Sequence, residues 1–180
     1  MDDEVPGATS RYREAMTFED WLAYLAGAPE ADFDLLDNMQ LQNWLQTVYR
    51  ENGAATLEWV HKLMFEQRKR LAEDLVRELK PHAESDVGPL EDLSVLVPEL
   101  PGTDFPSGIV TVGDVAIRGL DPAEAGLEVA DGVQTFIADT RYAVWPLCPV
   151  HRLGLHPHMR DSRPSWVCSQ KSHVVSTIYG

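Results

Sequence analysis

Apolar positions recur at helical spacing through the first half of the chain and shorten to β-branched runs in the second. Thr17-Phe18-Glu19-Asp20 resembles a capping box, a hydroxyl N-cap with an acid three residues on. Phe18, Trp21, Leu22 and Leu25 then share one face, and Gly27 marks the end of this first helix. A second helix is predicted from about Asp32 to Arg50. Leu36, Met39, Leu45, Val48 and Tyr49 form its stripe, Trp44 lies at the stripe's edge, and Asn52-Gly53 is the stop signal.

The third helix is predicted over Ala54 to Lys80, roughly 40 Å at 1.5 Å per residue, with Pro81 closing it. Leu57, Val60, Met64, Leu71, Leu75 and Leu79 recur at three-, four- and seven-residue intervals. Glu58 with Lys62, Glu66 with Arg70 and Glu73 with Arg77 stand acid before base at i,i+4, the favourable order. Gln67-Arg68-Lys69-Arg70 interrupts the stripe, which predicts an exposed second half, free to pair with another chain or cross a gap between domains. Trp21, Trp44 and Trp59 come one per helix, placed to pack between helices or to form a partner-binding hot spot.

Prolines 89, 98, 101 and 106 then mark a linker at 83–108, carrying one short strand at about Ser94–Val97. Ile109 to Arg118 holds two β-branched runs around Gly113-Asp114, a hairpin signal. Asp121-Pro122-Ala123-Glu124 opens a helix to about residue 139, with an Asp N-cap and Pro in the first turn. Gly126 and Gly132 weaken that helix by about 1 kcal/mol each relative to Ala. The fold class is therefore α+β: an acidic helical module at 1–82, the linker at 83–108, and a ββα unit with a β tail at 109–180.

Composition adds a charge contrast. The net charge of −14 rests on the body of the chain, whereas residues 145–180 set Asp161 against Arg152, Arg160, Arg163 and Lys171. An acidic body repels phosphate backbones, so nucleic-acid binding by the whole protein is not expected; Arg160 and Arg163 keep a weak version open for the tail. The N-terminal dozen residues are polar and predicted to fray, with neither the basic nor the apolar region of a secretory leader. No apolar run reaches the roughly twenty residues of a membrane span. Two cysteines make no disulfide framework, so the expected location is cytoplasmic.

The candidate chemistry lies in the last thirty-three residues, which hold both cysteines and four of the six histidines. Cys148-Pro149-Val150-His151 and Cys168-Ser169-Gln170-Lys171-Ser172-His173 are two short Cys/His pairs around a polar stretch. Such pairs can supply the four S and N donors that a tetrahedral zinc ion takes. The expected ligands are Cys148, His151, Cys168 and His173, with His156 or His158 able to replace a histidine. A metal-free ribbon-like hairpin is the competing reading, and a disulfide or other role for the cysteines the third. Trp145 and Trp166 precede the two cysteines and are placed to cover the apolar side of a small hairpin.

Trp145-Pro146, Cys148 to His151, His156-Pro157-His158, Trp166-Val167-Cys168 and His173-Val174-Val175 together resemble the C-terminal zinc-ribbon-type module of small bacterial proteins. The resemblance implies a strand, knuckle, loop, strand, knuckle, strand order and a structural zinc. This chain departs from a four-cysteine ribbon in its two histidines and in its wider second gap.

Catalysis finds less support. A hydrolytic zinc site needs an open position and a nearby carboxylate, and the tail offers only Asp161. His82-Ala83-Glu84 with the stretch around Cys148 only faintly resembles a zinc-deaminase pattern. No G-x-S-x-G and no phosphate-binding glycine loop are present. These observations favour a non-enzymatic interaction or adaptor protein that binds another protein or itself through the helical module. A metal-dependent hydrolase is the second reading, and nucleic-acid binding by the tail the third.

Overall fold

The computed structural model describes residues 16–28, 39–99, 108–170 and 172–179. The fraying N-terminal dozen and the expected start of the second helix at Asp32 lie outside them. The described residues form an α+β fold of four helices and two three-stranded antiparallel sheets. No helix among them is long and apolar enough to cross a membrane.

The chain divides into two compact units, 1–64 and 65–180. In the first, α1 (Phe18–Ala26) begins where the capping box places it: the Asp20 N–H donates to Thr17 Oγ1 at 3.2 Å and the Thr17 hydroxyl to Asp20 Oδ2 at 2.8 Å. Helix α2 (Met39–Asn52) stops at Gly53, which adopts positive φ. Trp21 and Leu25 are fully buried and Leu45 and Val48 are core, as the stripes predict, but Met39 is 76% exposed and Leu41 takes its place. The Trp21 indole donates to Ala55 O at 2.7 Å, and Phe18, Trp21 and Tyr49 form a ring cluster. Trp59 is 44% exposed with the Lys62 ammonium 5.2 Å from its ring centre, so packing between helices does not account for it.

Helix α3 (Leu57–Val87) departs from expectation in three ways. It runs through Pro81 and continues to Val87. An interior proline costs about 3 kcal/mol, but Leu79 and Ala83 on either side are buried, and burying a leucine alone returns about 1.5–3 kcal/mol. Its second half is not an exposed arm: Leu71, Ala72, Leu75, Val76, Leu79 and Ala83 belong to the core of the 65–180 unit. The polar break has a local cause, since Gln67 Nε2 donates to Leu120 O at 3.1 Å and Arg68 Nε to Arg118 O at 3.0 Å, anchoring the segment that leads into the next helix. The expected i,i+4 pairs also give way to others, Lys69–Glu73, Arg70–Asp74 and Arg77–Asp74, all well exposed and worth little.

The first sheet has the order β1 (Val95–Leu96), β2 (Thr111–Val112), β3 (Val115–Ala116), with Gly113-Asp114 as the predicted tight turn. Helix α4 (Pro122–Arg141) is capped by Asp121, whose Oδ1 accepts from the amides of Ala123 and Glu124 at 2.8 and 3.1 Å. Its two glycines have a packing reason. A Cβ on Gly132 would stand 2.4 Å from Val112 O, and one on Gly126 would stand 2.3 Å from the Tyr179 ring. Close approach of a strand and a ring therefore outweighs the loss of helix propensity.

The second sheet has the order β4 (Leu155–Arg160), β5 (Arg163–Cys168), β6 (Val174–Thr177). Here the segment expected as a polar loop forms strand β4. Pro157 disguises it, and β4 is an edge strand, where a missing amide donor is tolerated. Asp161 and Ser162 both take positive φ and close a two-residue hairpin. The inner face of this sheet carries Leu155, Trp166 and Cys168 into a core shared with α3 and α4.

Candidate metal centre

Each expected donor stands at a place where the chain turns. Cys148 follows Trp145-Pro146 inside the loop closed by the Leu147–Gly154 bridge, where the Arg152 N–H donates back to Cys148 O at 2.9 Å and Cys148 N–H to Leu153 O at 2.7 Å. That tight turn is completed by Arg152 at positive φ and brings the His151 amide to 3.4 Å from Cys148 Sγ. The second turn is built the same way. Cys168 is the last residue of β5, its N–H donates to His173 O at 3.0 Å, and Ser172 takes positive φ just before β6.

The two turns face each other. One ligand atom from each of Cys148, His151, Cys168 and His173 lies within 4.8 Å of the other three, close enough to bind a metal ion together. His151 Nδ1 is 3.6 Å from Cys148 Sγ and 3.5 Å from Cys168 Sγ, and His173 Nε2 is 3.7 Å from Cys148 Sγ. Both cysteines are fully buried and are not bonded to each other; the two histidines are half-buried. His173 Nδ1 lies 3.2 Å from Gln170 O. Donation from Nδ1–H to that carbonyl leaves Nε2 unprotonated and aimed at the cluster, the outer contact that metal-binding imidazoles usually make.

The electrostatics separate the two thiols. Burial pushes Cys148 up, but the His151 and Val150 amides, with Cys168 and His151 beside it, outweigh that and bring it down to about 6. Cys168 goes up: burial dominates, the Gln170 amide opposes it, and the neighbouring Cys148 adds to it. Of the two, Cys148 is therefore the thiol that ionises more readily. A divalent cation in the cluster favours the thiolate of both.

Behind the cluster, Trp145 and Trp166 are both 5% exposed and meet edge to face at 5.5 Å, so they cover the sheet's inner side as their positions predict. Two supporting contacts carry no signal in the sequence. Gln134 Nε2 on α4 donates to Trp145 O at 2.8 Å and to Leu155 O at 2.7 Å, joining the helix to both chain segments that flank the first turn. Trp145 Nε1 donates to Asp86 Oδ2 on α3 at 3.0 Å.

The other sequence candidates stand apart. His156 and His158 lie on β4 and are not among the clustered donors. His82 and Glu84 lie on α3, outside the cluster, and no Asp or Glu among the described residues belongs to it. Arg160 and Arg163 are exposed and opposite each other across β4 and β5. No protein-family model, curated protein or solved structure matches the chain.

Proposed function

We propose that Cys148, His151, Cys168 and His173 hold a structural zinc ion, and that the protein is a non-catalytic interaction or adaptor protein whose C-terminal sheet the metal fastens. One observation carries the reading: three of the four S···N edges among donors from two facing turns are 3.5–3.7 Å long. In a zinc tetrahedron with Zn–S near 2.3 Å and Zn–N near 2.0–2.1 Å, the S···N edges are about 3.5–3.6 Å. The S₂N₂ set suits zinc, and the four donors would fill a tetrahedral shell, leaving no position for a reacting water. The zinc would supply a cross-link between the turn that precedes β4 and the turn from β5 to β6.

The interaction reading draws on the same features. The cluster lacks an acid, and the acidic N-terminal helices expose Trp59. Acidic helices with an exposed aromatic suit a protein partner or a second copy.

Elemental analysis tests the metal directly. One zinc per chain is expected, lost in Cys148→Ser and Cys168→Ser; no zinc in protein purified without chelator contradicts the proposal. Light scattering and affinity capture test the second part, with a monomer that captures nothing reproducibly as the contrary result.

A further inference from the structure

A pocket of about 540 Å³ opens between the start of α4, the tip of the β4–β5 hairpin and the end of β6, all within the 65–180 unit. It shares no residue with the metal centre. Its volume is within the range that holds a small organic molecule.

The walls are mainly apolar: Pro122, Ala123, Pro164 and the Tyr179 ring. Each is there for a local reason. Pro122 takes the first position of α4, where its missing amide costs nothing. Pro164 is buried opposite Met159 in the sheet. The Tyr179 ring lies against α4 at Gly126, the close approach that the missing Cβ permits. The hydroxyl-bearing Ser162 and Thr177 add polar surface.

Two charged residues line the pocket, Asp121 and Arg163, and they are not equivalent. Asp121 caps α4: its Oδ1 accepts from the Ala123 and Glu124 amides at 2.8 and 3.1 Å, and the positive end of the helix dipole offsets its charge. Arg163 has no such counterweight. The ion pairs among the described residues lie on α3, so neither Arg163 nor Arg160, directly across the hairpin from it, forms one, although Asp161 stands in the turn between them. Like charges directly opposite each other destabilise a sheet, and a bound anion relieves that repulsion.

A single cation on a mainly apolar pocket selects an apolar molecule with one negative charge. The guanidinium fork matches the planar, two-oxygen face of a carboxylate. A dianionic headgroup would leave one charge uncovered near Asp121.

We propose that this pocket binds a small amphiphilic carboxylate, its apolar body on Pro122, Ala123, Pro164 and Tyr179 and its headgroup on the Arg163 guanidinium. The site goes beyond the adaptor reading and rests neither on it nor on the metal.

The test titrates the isotope-labelled full chain with octanoate and follows amide chemical shifts. Shifts should concentrate at 121–124, 162–163 and 177–179 and saturate at one octanoate per chain, with a dissociation constant below about 1 mM. Octanol and octyl phosphate should bind more weakly. Arg163→Gln keeps most of the stem and removes the charge, and should weaken octanoate about tenfold. Ala123→Leu leaves helix propensity nearly unchanged and fills the pocket, and should weaken it at least as much. Melting temperatures at or above that of the parent check that both variants fold. Unsaturable shifts, shifts centred elsewhere, equal binding of octanol or octyl phosphate, or equal octanoate binding by the folded variants overturns the proposal.

Discussion

Replacing Gly132 by alanine sets two effects of known sign against each other. On propensity alone the change stabilises an interior helical position by about 1 kcal/mol. The structure opposes it. The new Cβ would stand 2.4 Å from Val112 O, 3.0 Å from Val112 Cβ and 3.1 Å from Val112 C. Ordinary contact there is well above 3 Å, so backbone must move by the better part of an ångström, and the obstacle is strand β2, not a flexible tip. Overpacking of a filled core costs typically about 1–3 kcal/mol and occasionally more. Because the displaced group is main chain, the upper part of that range applies, and the net effect is a loss of about 1–2 kcal/mol. For a chain of this size that lowers Tm by roughly 2–8 °C. Gly126→Ala provides the comparison, since its added Cβ meets a side-chain ring, that of Tyr179, and not main chain. Thermal and urea denaturation of the two variants should rank Gly132→Ala as clearly the worse. A neutral or stabilised Gly132→Ala would refute the packing of α4 on β2 and leave propensity as the governing term.

Two further outcomes follow from the contacts around the cluster. Gln134→Leu removes both donors to Trp145 O and Leu155 O while keeping the side-chain bulk, and should cost about 1–3 kcal/mol in urea denaturation; an unchanged midpoint would contradict the bridging role. In metal-free protein, ultraviolet thiolate absorbance against pH should rise with one group at about 6, Cys148, and with a second only above the ordinary cysteine range. The lowered Cys148 value makes its ionisation stabilising above the unfolded value of ~8.5, a contribution that falls away as pH drops through about 6. The raised Cys168 value acts oppositely, stabilising below its unfolded value and lost as pH climbs through the folded one. Two thiols ionising together near the ordinary value would contradict the pairing.

What could be read in the sequence depended on how local the cause was. The Thr17 and Asp121 caps, the Gly53 stop and the Gly113-Asp114 turn are decided within a few residues, and each stands where its motif puts it. The four clustered donors were legible because short Cys/His pairs keep their spacing whatever surrounds them. Features decided by distant partners were not. Pro81 reads as a helix end until Leu79 and Ala83 are seen buried in the core. Gln67 and Arg68 read as solvent-facing until their carbonyl partners, Leu120 and Arg118, are known. Pro157 conceals β4 because only edge position makes it harmless. Gln134, the main polar support of the first turn, has no motif at all, since both of its acceptors are backbone carbonyls.

Cobalt substitution addresses the central claim most directly, because it reports ligand number and type at once. Protein stripped of metal and titrated with Co(II) should bind one equivalent and develop intense visible bands with thiolate-to-metal absorption, as a four-coordinate S₂N₂ set requires. Those bands should stay unchanged when azide is added, and they should be lost in His151→Ala and His173→Ala. A weak six-coordinate spectrum, or bands that shift with azide, would contradict a closed structural site built from Cys148, His151, Cys168 and His173.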